Sequence, residues 1–275
     1  MTALRRFLAI VTAAALALSI VGAGFLVCTI PPVTTFLANT YSDDVTSPFS
    51  RSQLVKVADA TRDYSFGAHD LNKLYQTIYE VDLEYRQSIV GGNGSLPFGF
   101  PPLDSVKNRE DTSQMAAAFS GASEMYCYSS DTIAHLDDCF SIAQGGRVVL
   151  AIAAIIGLAG LIACGVLGGR RTLGYIFLGA GITALALFVI FGVFAALDFT
   201  RFFTLFHQLF FSQGNWEFPY DSLLICALPT AFWIGMAITW LATSALISIL
   251  SIAIGSGLSK HPPKVAVRPA ASHAA

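Results

Sequence analysis

Two of the five histidines in this 275-residue chain stand where their neighbours could put them to work. In "SSDTIAHLDD", Ser129 or Ser130 can cap a helix on which Asp131, His135 and Asp138 follow at i, i+4 and i+7, so all three share a face. A carboxylate beside an imidazole can fix its tautomer and raise its basicity, as a general base requires; the plainer alternative is a solvated helix face with ordinary charge pairs. His207 lies in "FHQLFFSQGNW", between Phe206 and the pair Phe210 and Phe211, with Trp216 beyond. If residues 198–212 are helical, Phe199, Phe202, Phe203, Phe206 and Phe210 make one apolar stripe and Thr200, Thr204, His207 and Phe211 an adjacent one. Such a helix would lie in a membrane interface, where a histidine could reach a lipid ester or merely bond a neighbouring loop. His69, just ahead of a helix, reads as a surface residue, and His261 and His273 fall in a small, polar tail that reads as disordered. A metal would have to take His135 with Asp131 or Asp138 and His207, a weak set at that separation, so neither metal nor cofactor is expected.

Five cysteines divide by setting. Cys28, Cys164 and Cys226 lie in or at the ends of apolar runs, where a thiol is a small hydrophobe. Cys127 and Cys139 have eleven residues between them and predict a disulfide in an oxidising compartment, closing the loop that holds His135.

The elements that must position these residues are set by composition. Hydrophobic residues make up 54% of the chain and charged residues 12%, against usual values of about 45–50% and ~25%. Runs at 7–30, 148–167, 173–197 and 223–254 are free of Asp, Glu, Lys and Arg and meet or exceed the ~20 residues that span a bilayer. The fold class predicted is therefore an all-α membrane protein: four transmembrane helices with a mainly helical extracytoplasmic domain between the first and second. The divisions are 1–30, the first helix; 31–147, the outer domain; 148–197, helices two and three; 198–222, an interfacial loop; 223–254, the fourth helix; and 255–275, the tail. Arg5-Arg6 before the first run also fits a secretory signal, but the run is longer than a signal core and lacks a clear cleavage site, which favours a retained helix.

Charge orients the helices. The N-terminus, the turn at 168–171 and the tail hold Arg5, Arg6, Arg170, Arg171, Lys260, Lys264 and Arg268 and no carboxylate, so both termini are expected in the cytoplasm of a multi-pass cell-membrane protein. Of the 18 acidic residues, 15 fall in segment 31–147 and three (Asp198, Glu217, Asp221) in 198–222, both then outside. In the large outer segment, Leu54, Val57 and Ala58 recur at helical spacing after a cap at Ser50 or Ser52, and Leu71, Leu74, Tyr75, Ile78 and Val81 form a second stripe. "GGNGSLPFGFPP" breaks any helix. Its Asn93-Gly94-Ser95 triplet fits a glycosylation acceptor, a weak signal. No repeat and no basic stripe suited to nucleic acid is present.

"FHQLFFSQGNWEFPYDSLLICALPTAF" resembles the signature of a family of four-helix integral membrane proteins that includes a bacterial lipoprotein intramolecular transacylase. Phe206, His207, Phe210, Phe211, Trp216, Asp221, Leu224, Ile225 and Pro229 carry the resemblance, and "HLDD" supplies a His-x-x-Asp element at His135 and Asp138. Thr230 and Cys139 depart from it, standing where an acidic and a small aliphatic residue are expected, and the spacing from Trp216 to Asp221 is short. The resemblance implies acyl transfer at the outer leaflet, from a lipoprotein's glyceryl group to its N-terminal amine, with membrane lipid and a lipoprotein as partners. His135 would be the base, held by Asp138, and His207 an oxyanion donor or second acid-base group. Phe206, Phe210, Phe211, Trp216 and Asp221 would line the substrate. No Gly-x-Ser-x-Gly elbow appears, which suits direct transfer over a covalent acyl-enzyme. The alternative is a non-enzymatic four-helix scaffold or adhesion protein like the claudins, but all three tryptophans here follow the large loop.

Overall fold

The computed structural model describes residues 3–92, 94–211, 214 and 216–260. Every regular element among them is helical. The first apolar run forms α1 (Ala3–Cys28), and Pro31 and Pro32 then open α2 (Pro31–Tyr41). Proline suits that first turn, whose N–H groups have no intrahelical acceptor.

The two helices expected in the outer segment form as α3 (Arg51–Phe66) and α4 (Leu71–Gly91). The Ser50 N–H donates to Gln53 Oε1 (2.9 Å) at the start of α3, and the Asp70 carboxylate accepts the Lys73 N–H (3.1 Å) at the start of α4. Leu54, Val57 and Ala58 face Leu74, Ile78 and Val81 in one core, which Phe49, Leu103, Met115 and Leu223 complete. Residues 94–102 carry no helix, and α5 (Thr112–Phe119) follows. The glycosylation triplet begins at Asn93, outside the described residues, as do His261 and His273 and the tail from 261 on.

His135 lies in the second turn of α6 (Ser130–Leu197), a helix of 68 residues capped by the Ser129 hydroxyl, which accepts the Thr132 N–H at 3.3 Å. The helix does not stop at the end of the outer segment but continues through Arg147 into the second apolar run. Its interior break is Gly169, at φ 67° and ψ −171°, a backbone state that glycine adopts without strain. The two arms meet α1 in opposite senses. Thr12, Leu16 and Gly22 of α1 meet Cys164, Gly157 and Leu150 in descending order, whereas Ala13 meets Gly179, and Ala17 and Ile20 cluster with Ala180 and Ala184. The chain therefore reverses at Gly169.

Next comes α7 (Phe199–Phe210), capped by Asp198, whose carboxylate accepts the Arg201 N–H (2.9 Å). The last apolar run is not the single helix expected for 223–254. It divides into α8 (Leu223–Ala227) and α9 (Thr230–Ser259) because Pro229 has no N–H to donate and its ring excludes a preceding helical turn. The short α8 joins the helices of segment 31–147: Leu223 N–H donates to Glu124 O, Asp43 N–H to Cys226 O and Ser42 Oγ to Ala227 O, each at 2.8 Å.

Three helices among the described residues, α1, α6 and α9, are long and apolar enough to cross a membrane. They bundle together, and a cap of α2–α5 and α8 covers one end around the first turns of α6. At the other end Arg170 donates to Gly257 O (3.0 Å), and Arg5 borders a small crevice with Leu167, Gly168 and Thr172. His69 lies just ahead of α4 and is partly exposed, but it is also held on both faces. At φ 57° it is sandwiched between Tyr64 and Phe140, with ring centroids at 4.3 and 3.9 Å, and its Nε2 lies 3.5 Å from Asp137 Oδ1, which also accepts the Tyr64 hydroxyl. It thereby pins the α3–α4 turn to α6.

Candidate active site

Helices α6 and α7 bring His135 and His207 together where the cap meets the bundle. Ring centroids stand 6.1 Å apart with the planes tilted by 24°, and the residues are only 8% and 9% exposed. Aromatic rings enclose the pair. Phe211 lies 4.6 Å from the His135 ring and 5.4 Å from that of His207, Phe218 borders His135 at 5.6 Å, and Phe203 and Trp216 border His207 at 3.9 and 5.0 Å. Little water can reach either ring.

Each ring nitrogen can be placed in turn. His207 Nδ1 lies 2.8 Å from the backbone oxygen of Phe203, one turn earlier on α7. A carbonyl only accepts, so Nδ1 carries the proton, and in the neutral ring Nε2 keeps its lone pair. His135 Nε2 faces the Cys139 sulfur at 3.6 Å, and its Nδ1 is buried with no hydrogen-bond partner among the described residues. An unpaired buried polar atom costs free energy unless another molecule completes it.

Burial pulls His135 down to about 4, the neighbouring His207 acts in the same direction, and the Asp138 charge opposes them. Burial likewise lowers His207, against its bond to the Phe203 carbonyl. Both rings are thus neutral at ordinary pH, the form that takes up a proton.

The residues expected to line the site separate. Phe211 and Trp216 close the box and Phe206 meets His207 edge-on at 5.5 Å, whereas Phe210 packs on Phe206 at 4.9 Å and both are about half exposed on the outer face of α7. Asp221 stands at the entry to α8, where its charge acts on the Cys226 thiol. Asp131 is exposed. The expected disulfide is absent: Cys127 and Cys139 are both free thiols. The Cys127 sulfur is directed at the carbonyls of Phe119 and Ser123, and that of Cys139 at His135, so the helical start at Ser130 holds the two side chains to different partners. Sequence reasoning missed Phe203, Phe218 and the Cys139 contact, although Phe203 and His207, and His135 and Cys139, stand at the i, i+4 spacing that puts side chains on one helical face. Among the described residues no three His, Cys, Asp or Glu side chains converge as a metal-binding group.

Fold and site define an all-α protein with helices apolar enough for a membrane and a dry histidine pair at the end of the bundle. Residues 108–233 match the family model of the lipoprotein intramolecular transacylase Lit, a span that includes both histidines and the whole aromatic box. The resemblance read in the sequence is therefore real. The chain is also similar in structure to the membrane-integral lipoprotein intramolecular transacylase Lit from Bacillus cereus, with a TM-score of 0.63 and 17% identity over 94% of this chain and 97% of that one. A point variant of the Bacillus cereus protein gives a TM-score of 0.57 at the same 17% identity, over 93% and 92% of the two chains. The fold is shared along nearly the whole chain. No match is found among curated protein sequences.

Proposed function

We propose that this chain is a membrane acyltransferase that moves a fatty acyl chain from the glyceryl ester of a lipoprotein to the amino group of its N-terminal cysteine, at the outer leaflet. In this arrangement α6 crosses the bilayer twice, once on each side of Gly169, so α1, the two arms of α6 and α9 make four spans. The carboxylate-free end with Arg5, Arg170 and Arg171 faces the cytoplasm. The cap and α7 then lie outside, with exposed Leu205, Phe206, Leu209 and Phe210 set into the lipid.

The observation that carries the proposal is the dry pair of neutral histidines, one with its Nδ1 bonded to a carbonyl and the other with its Nδ1 buried and unpaired among the described residues. His207 Nε2, whose lone pair is freed by the Nδ1 bond to Phe203, takes a proton from the attacking amine. The amine nitrogen bonds to the ester carbonyl carbon, and the negative charge gathers on the carbonyl oxygen. His135 Nδ1, buried and unpaired, is placed to donate to that oxygen. The tetrahedral centre then collapses: the carbon–oxygen bond to glycerol breaks and the alkoxide recovers the proton from His207. These assignments exchange the roles expected from sequence, because the Phe203 contact favours His207 as the base. Asp138 acts on His135 through its charge.

The test is mass spectrometry of lipoprotein N-termini from cells with the intact protein, without it, and with His207→Ala or His135→Ala. N-acylated lyso-lipoprotein is expected with the intact protein alone. Unchanged lipoproteins in every strain would leave a non-enzymatic membrane scaffold as the better account.

A further inference from the structure

The sulfur of Cys139 is 3.6 Å from His135 Nε2, one turn further along α6, and it is half-buried. Which atom donates decides what His135 can do, because a neutral imidazole has one N–H and one lone pair. Sulfur accepts hydrogen bonds weakly, whereas an imidazole nitrogen accepts them well, so S–H to nitrogen is the better pairing of the two. The second observation is at the other nitrogen: Nδ1 of this 92%-buried ring has no partner among the described residues.

The geometry points to Cys139 as the positioning residue of the site, its thiol donating to His135 Nε2 and so holding the ring as the Nδ1–H tautomer, with that N–H directed at the substrate carbonyl oxygen. The role deepens the proposed acyl transfer and rests on it for the substrate oxygen and the effect on rate, while the tautomer itself does not. Burial, reinforced by Asp138, pushes the Cys139 thiol up to about 12, so the sulfur keeps the proton it donates. Cys139 therefore acts as a hydrogen-bond donor and forms no bond to the acyl group. Thiol-modifying reagents that reach it would silence the site by leaving the ring without its donor.

Two readouts test this on the full-length protein in detergent micelles, with nitrogen-15-labelled histidine and His135→Gln to assign the resonances. In the unmodified chain, Nδ1 of His135 is expected to show the shift of a protonated nitrogen and Nε2 that of an unprotonated one. Cys139→Ala is expected to mix the two tautomers and to lower kcat about tenfold with KM within about twofold, while Cys139→Ser, which keeps a donor, restores the tautomer and most of the rate. An unchanged tautomer in Cys139→Ala overturns the assignment. So does a hydroxylamine-labile acyl thioester on Cys139, which would make the sulfur a nucleophile. Because the tautomer is read without turnover, a protein that is inactive yet shows the expected shifts refutes the transacylase reading and leaves the positioning role standing.

Discussion

The helical bundle and the cap of this protein cohere by different means. In the cap, large side chains such as Phe49, Leu54, Ile78, Leu103 and Met115 are withdrawn from solvent into one core. In the bundle the buried cluster is Ala17, Ile20, Ala180 and Ala184, and large residues such as Ile155, Ile162 and Val166 point outward. Its helices touch through small residues: a side-chain carbon on Gly174 would stand 2.9 Å from Gly255 O, and one on Gly181 2.6 Å from Ser248 O. Polar anchors supplement them, Trp240 donating to Val21 O and Ser251 to Phe177 O, each at 2.8 Å. Water drives large apolar groups inward, whereas lipid offers them an equal home and leaves close backbone approach and hydrogen bonds to hold helices together. His135 and His207 sit at the seam between these two regimes.

The seam itself gives the largest expected effect. His207→Ala should lower acyl transfer about a thousandfold, roughly 4 kcal/mol in the barrier, while circular dichroism shows helicity retained. The two cores can be set against each other with one substitution type. Ile78→Ala should destabilise the cap by about 2–5 kcal/mol in denaturant unfolding, whereas Ile155→Ala, at a lipid-facing position, should change stability by less than about 0.5 kcal/mol. A smaller contrast lies in the glycines. Gly174→Val should cost about 1–3 kcal/mol by driving α6 from α9, yet Gly145→Ala, with open space around it, should be neutral or slightly stabilising.

Titration separates the regions further. His135 is lowered to about 4 from 6.5, so its contribution to stability is complete above about pH 6.5 and is lost as pH falls towards 4. Burial lowers His207, the proposed base, as well, so the acid limb of the rate profile should lie below the ordinary histidine range. Asp82, in the cap core with neither oxygen bonded among the described residues, is raised by burial to about 9 from 3.8. Its contribution runs the other way, complete below about pH 4 and lost as pH rises towards 9. Asp82→Asn should therefore raise the melting temperature at pH 8 and leave it nearly unchanged at pH 4.

Local signals in the sequence placed much of this. Of the caps left open between Ser50 and Ser52 and between Ser129 and Ser130, the structure uses Ser50 and Ser129, and the stretch from 198 is helical from Phe199; the two histidines singled out by their neighbours come together in space. What escaped notice depends on packing between distant segments. Gly145, Gly146 and Arg147 read as the edge of a domain, but Arg147 donates to Phe66 O in the cap and α6 continues past it. Pro229 marks the break between α8 and α9, which a reading of the 223–254 run by its apolarity alone passes over. The Cys127–Cys139 bridge follows from spacing and an oxidising compartment, whereas helix geometry turns Cys139 to His135.

The uninterrupted passage of α6 through Arg147 makes that helix a ruler. His135 stands 34 residues before Gly169, and Leu197, where the returning arm ends, stands 28 residues after it. At about 1.5 Å per residue, the histidine is carried roughly 9 Å beyond the end of the apolar arm. Its height is thus written in the number of residues in one rigid rod, and removing a single turn from that rod would sink the ring by more than half of its elevation.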